Sequence, residues 1–161
     1  MALTDRAHAL QTEAHELFAQ LDLGTAFPWS STLIGSALSG LMVTRDLDVM
    51  FDAPDATATT VLTGLTTLGG RVELESIDFR DERGDRRPTP AITDERYYAV
   101  LHTADWKIDL TFWLHVVERP QVAHARRVSE CTDEQRRTIL RLKDELRGSD
   151  SSTIYNAVLE L

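Results

Sequence analysis

Apolar residues recur at helical spacing between Thr4 and Asp22, at Leu10, Ala14, Leu17, Phe18 and Leu21. This spacing predicts an amphipathic first helix, capped by Thr4 or Asp5 and stopped at Gly24. The segment WSSTLIGSALSG passes from a strand-like run, Thr32 to Ile34, through Gly35-Ser36 into small residues. That order predicts a strand handing over to a helix through a tight turn. In DLDVMFD the period changes to two, with Leu47, Val49 and Phe51 on one side and Asp46 and Asp48 on the other. It reads as a strand with one acidic face. Val61, Leu62, Leu65 and Leu68 form the stripe of a helix over Asp55 to Leu68 that ends at Gly69-Gly70. RVELESIDF predicts the next strand, and RDERGDRRPTPAITDE a long exposed loop. RYYAVLHTADWKIDLTFWL predicts an antiparallel hairpin turning at Thr103 to Asp105, with Lys107, Asp109, Thr111 and Trp113 on one face of its second arm. After Pro120 the pattern is helical: Thr132 and Gln135 fit a capping box, Ile139, Leu142 and Leu146 make a stripe, and Gly148 stops it. A last helix capped by Ser152 or Thr153 would present Ile154, Ala157, Val158 and Leu161.

These elements give an α/β fold: a small mixed β-sheet with flanking helices, lying mainly opposite the acidic strand surface. With 161 residues, 42% of them hydrophobic, one domain is expected over 1–161, its core at about 25–118 and its C-terminal helices at about 120–161. The net charge of -9 argues against long nucleic acid as a partner, because no general field attracts a phosphate backbone. Cys131 is the single cysteine, which excludes an intrachain disulfide and Cys-based zinc motifs. With no signal-like start and no long apolar run, a soluble, unprocessed, cytoplasmic protein is expected, with no membrane partner. Lys107 and Lys143 are the only lysines among 17 basic residues, a bias that points to a GC-rich bacterial genome.

The chemistry lies in the acidic strand. Asp46 and Asp48 fall about 6 to 7 Å apart at Cα on one strand face. Crowded carboxylates raise one another's pKa unless a cation neutralises them. Mg²⁺ favours one or two carboxylates plus substrate phosphate oxygens, which suits such an open pair. Asp109, in the similarly alternating KIDLTF, joins them if the two strands are near neighbours. Three acids can then hold two metal ions, with Asp109 placed to take a proton from an acceptor hydroxyl. Gly35 permits close backbone approach at the turn, and Ser36 adds a donor for phosphate oxygens.

Gly-Ser, then nine residues, then Asp-Leu-Asp-Val, then a later Ile-Asp-Leu resembles the minimal nucleotidyltransferase superfamily, which includes DNA polymerase β-like enzymes and antibiotic- and toxin-type nucleotidyltransferases. The resemblance covers about 32–114. It implies that Gly35 and Ser36 bind phosphate, that Asp46, Asp48 and Asp109 are catalytic metal ligands, and that Gly40 is the glycine following the serine. Ser39 stands where the family often has an arginine, and Arg45 where it often has a serine. Lys107, on the face of Asp109, is the candidate cation for the triphosphate in the arginine's place.

The implied activity is Mg²⁺-dependent transfer of a nucleoside monophosphate, AMP first, from a nucleoside triphosphate to a hydroxyl of a small molecule or protein, releasing pyrophosphate. The alternative is a weak or inactive relative serving as a nucleotide-binding or interaction module. A homodimer completing the acceptor site is expected, because the helices after Pro120 are the only further material. Arg80, Arg83, Arg86 and Arg87 read as a solvated loop rather than an anion site. His8 and His15 are too far apart along a helix to chelate one ion. Trp113 is a candidate for the wall of an acceptor pocket.

Overall fold

The computed structural model describes residues 1–160. The first helix, α1 (Leu3–Leu21), buries Leu10, Ala14, Leu17 and Leu21 as the periodicity requires. Its boundaries differ from the predicted ones. The N-cap is Ala2, with no side-chain cap, and the stop is Asp22 in the left-handed conformation. Gly24 falls inside the short α2 (Leu23–Ala26). An aspartate tolerates the left-handed turn better than most residues because its short polar side chain bonds locally, and here the Asp22 carboxylate accepts from Thr25 Oγ1 at 2.8 Å.

A five-stranded sheet follows, in the order β1-β2-β5-β4-β3. β1 (Ser31–Ile34) leads through the one-turn α3 (Gly35–Ser39) to β2 (Asp46–Asp52). β1 and β2 are antiparallel, with Ile34 opposite Asp48. After α4 (Ala58–Gly69) come β3 (Ser76–Glu82), β4 (Arg96–His102) and β5 (Lys107–Trp113). β4 and β5 form the predicted hairpin, and β5 inserts parallel to β2 with Asp48 opposite Asp109. The strand read from RVELESIDF begins only at Ser76 and runs on to Glu82, so the expected exposed loop loses its first residues to β3. A short 3-10 turn at Gly84–Arg86 shortens it further. Alternation in SIDFRDE was masked by charges that β3 carries at the sheet edge, where charged side chains guard unpaired backbone.

Leu47, Val49 and Phe51 of β2, Ile108, Leu110 and Phe112 of β5, and Tyr97, Ala99 and Leu101 of β4 share one face and are buried against α1, α2 and α4. Phe51 and Phe112 stack with centroids 4.6 Å apart, and Phe27 packs on both. The C-terminal helices form a second cluster. α5 (Pro120–Ser129), α6 (Asp133–Glu145) and α7 (Ser151–Leu159) bury Val128, Ile139, Leu140, Ile154 and Tyr155 with Ala7, Leu41 and Val43. These three helices stand beside the acidic face rather than opposite it, a departure from the expected placement. Pro120 occupies the first turn of α5, and Thr132 with Gln135 makes the predicted capping box of α6. α6 ends at Glu145, before the predicted Gly148 stop, and α7 is capped by Asp150 rather than Ser152 or Thr153. Asp150 accepts from the Ser152 amide at 3.0 Å, and its carboxylate complements the helix dipole. Leu161, predicted on the last helical stripe, lies outside the described residues. Among the described residues, no helix is long and apolar enough to cross a membrane.

Candidate active site

The condition for Asp109 to join the acidic pair is met by topology. Because β5 lies directly against β2 in parallel register, Asp48 and Asp109 are cross-strand partners and Asp46 pairs with Lys107. All four side chains line one cleft of about 770 Å³, together with Gly35 and Ser36. Every residue predicted for the site is therefore brought to one place. The volume falls in the range of small-molecule sites.

Gly35 has φ +67°, and a Cβ built on it would lie 2.5 Å from Asp48 Oδ2. Only glycine fits, on both counts. The turn is held from behind. Gln11 Nε2 donates to the Ala37 carbonyl at 3.0 Å, Arg136 donates to the Ser39 carbonyl at 3.4 Å, and Lys143 Nζ donates to the Leu41 carbonyl at 2.6 Å. Ser39 and Gly40, where the arginine-glycine pair is expected, are thus approached by Arg136 of α6, which braces backbone. Arg45 pairs with Glu13 at 2.8 Å on the exterior.

The carboxylates crowd one another. Burial, then the charge of Asp109, pushes the Asp48 carboxyl up to about 7. Asp46 Oδ2 accepts from Thr44 Oγ1 at 2.5 Å. Asp109 is 8% exposed. Its Oδ1 accepts from Tyr98 Oη at 2.5 Å and its Oδ2 meets Lys107 Nζ at 3.0 Å. Burial and the bond to Asp109 push the Tyr98 phenol up, so it remains a donor. Among the described residues, no three acidic, histidine or cysteine side chains already surround a single point. The donor set nevertheless suits a hard divalent ion: all oxygen, open on one side, and crowded enough to raise the Asp48 carboxyl.

Two residues escaped the sequence reading, Lys143 in the cleft wall and Tyr98 behind Asp109. Lys143 of α6 is 8% exposed, and its ammonium bonds to the Leu41 carbonyl and, at 2.9 Å, to Tyr155 Oη. Burial lowers it to about 8, against the pull of Asp46 and Asp48. The signal was present: Lys143 lies four residues after Ile139, on the stripe that α6 buries. Tyr98 left no such trace, since its reach to Asp109 depends on hairpin register. The far wall of the cleft comes from α5 and α7, with His124, Val128, Ile154 and Asn156 among its residues.

Other candidates fall elsewhere. Trp113 shares the acidic face as predicted but is covered, with Arg119 at 4.0 Å and Arg96 at 5.6 Å from its ring, so it lines no open pocket. Arg80 pairs with Asp78, and Arg83 and Arg86 with Asp81. Arg87 Nη1 donates to the Thr93 carbonyl at 2.7 Å. The arginine-rich segment satisfies itself.

No family model matches the chain, and no curated protein matches it. Solved structures do. A GLD-2/RNP-8 complex aligns with TM-score 0.56 at 12% identity, over 96% of this chain and 64% of that one. A cytoplasmic RNA terminal U-transferase aligns with TM-score 0.55 at 18% identity, over 98% and 52%. The Cid1 poly(U) polymerase with MgGTP bound aligns with TM-score 0.53 at 18% identity, over 87% and 46%. The chain spans about half to two thirds of the length of these structures. At such identities the likeness establishes the fold, which is the nucleotidyltransferase-like α/β arrangement that the motifs resemble.

Proposed function

We propose that this chain transfers a nucleoside monophosphate from a nucleoside triphosphate to an acceptor hydroxyl, releasing pyrophosphate. The observation that carries this reading is the register that sets Asp48 against Asp109, with Asp46 on the same face and Gly35 in van der Waals range of Asp48. Asp46, Asp48 and Asp109 would hold Mg²⁺, two ions with substrate bound, which supplies positive charge at the triphosphate where pyrophosphate leaves. Gly35 and Ser36 cradle phosphate oxygens from the turn. Lys107 and Lys143 bring ammonium groups to the cleft, in place of the absent arginine. The acceptor oxygen attacks the α-phosphorus, the bond to pyrophosphate breaks, and Asp109 takes the hydroxyl proton. Two of the fold neighbours are by name a U-transferase and a poly(U) polymerase with MgGTP bound, so the preference for AMP is the first arm of the test rather than its premise.

A second reading is favoured by one observation. Both oxygens of Asp109 are already engaged, by Tyr98 and Lys107, which suits a nucleotide-binding module without turnover. Incubation with each labelled triphosphate, Mg²⁺ and a cell extract separates the two. Wild type should label an acceptor, and Asp48→Ala or Asp109→Ala should lose labelling by at least about 100-fold. Equal labelling by all three, or by none, removes the catalytic reading. Stabilisation by ATP and Mg²⁺ without transfer supports the binding module. The acceptor is taken to be a small molecule or a protein, with a second copy of the chain completing its site. A strict monomer by gel filtration with light scattering, fully active, excludes that last element.

A further inference from the structure

Asp109 accepts a hydrogen bond from a side chain of a further strand, β4. Tyr98 of β4 stands opposite Thr111, two residue pairs along from the Val100 and Asp109 pair and on the same face, and its Oη donates to Asp109 Oδ1 at 2.5 Å. The ring is itself held. The Arg96 guanidinium lies 4.2 Å from the ring centre, and its Nε donates to Glu82 at 2.6 Å, where Glu82 is 5% exposed. A chain of contacts thus runs from the buried Glu82 at the far strand through Arg96 and Tyr98 into the cleft. It ends on one oxygen only.

We infer that Tyr98 is a positioning residue for Asp109: its phenol fixes the carboxylate rotamer and occupies Oδ1, so that Oδ2 alone is presented to a cation. The inference rests on the proposed metal site and says how that site is tuned. A donor on the non-ligating oxygen leaves the carboxylate charged, restricts it to one-oxygen binding, and removes the rotamer search that a free aspartate would make on each binding event. Lys107, the present partner of Oδ2, is a solvent-exposed side chain that a divalent ion can displace, whereas the phenol is held by Arg96.

The test uses the full chain and Mn²⁺ alone, read by the electron paramagnetic resonance signal of the free ion, so that turnover is not needed. Tyr98→Phe should weaken Mn²⁺ binding about tenfold, the lower range for loss of a group behind a metal ligand, with the melting temperature little changed. The double variant Tyr98→Phe, Asp109→Asn should bind no worse than Asp109→Asn alone, because the phenol acts only through that carboxylate. In transfer assays Tyr98→Phe should lower kcat with KM for the triphosphate unmoved. Wild-type Mn²⁺ affinity in Tyr98→Phe, or additive losses in the double variant, would overturn the assignment. Mn²⁺ binding that Asp109→Asn leaves untouched would overturn the metal site itself, a different failure with a different signature.

Discussion

At the scale of single residues, two glycines carry opposite consequences. Gly35→Ala places a methyl 2.5 Å from Asp48 Oδ2 in a left-handed backbone, so it should abolish labelled-nucleotide transfer while costing about 1 to 2 kcal/mol of stability by urea unfolding. Gly64→Ala puts a methyl 2.1 Å from the Phe27 ring inside α4. It should do the reverse, lowering stability by about 1 to 3 kcal/mol through overpacking, with transfer retained in the folded fraction. The site was legible at this scale wherever chemistry repeats with strand period: Asp46, Asp48, Asp109 and Lys107 lie on the face that alternation assigns them. Gly35 was legible as a turn. Its contact with Asp48 was not, because that depends on β1 and β2 being antiparallel neighbours. Tyr98 was hidden for the same reason, and Lys143 was hidden only by the habit of reading lysine as solvent-facing.

At the scale of elements, α6 joins the two halves of the site. Its capping box is a local matter, and Thr132→Ala should cost about 1 kcal/mol by denaturant unfolding without affecting nucleotide binding. Lys143 separates the two effects differently. Lys143→Met removes a buried ammonium, leaving one carbonyl and one phenol to re-pair. ATP affinity measured by calorimetry in Mg²⁺ should fall about tenfold, one charge-assisted contact, while the fold persists. The first and last helix caps were misread at Thr4, Asp5, Ser152 and Thr153 because several adjacent residues can cap equally well and tertiary packing chooses among them. The β4 and β5 hairpin was legible because its two arms alternate cleanly about a polar turn. β3 was legible only over Ser76 to Phe79, since beyond them the edge strand carries charge on both faces and loses the alternation.

At the scale of the whole molecule, the acidic cluster sets how stability responds to pH. Asp48 titrates near 7 in the fold and at 3.8 as an ordinary aspartate. The folded chain therefore holds this proton more tightly than the unfolded chain, and stability falls as pH rises from about 4 towards 7, then levels. Melts of the metal-free protein should show lower melting temperatures at pH 7.5 than at pH 5.5. Asp48→Asn should flatten the slope, and Mg²⁺ should restore stability at the upper pH, where the ligand is ionised.

The cleft has one wall from the sheet and the other from α5 to α7, which pack on Ala7, Leu41 and Val43. On the ribosome these walls appear in order. The acids, the turn and the inserted strand emerge first, and Lys143, Ile154 and Asn156 emerge last. A nascent chain stalled before Pro120 would display the carboxylates with nothing facing them.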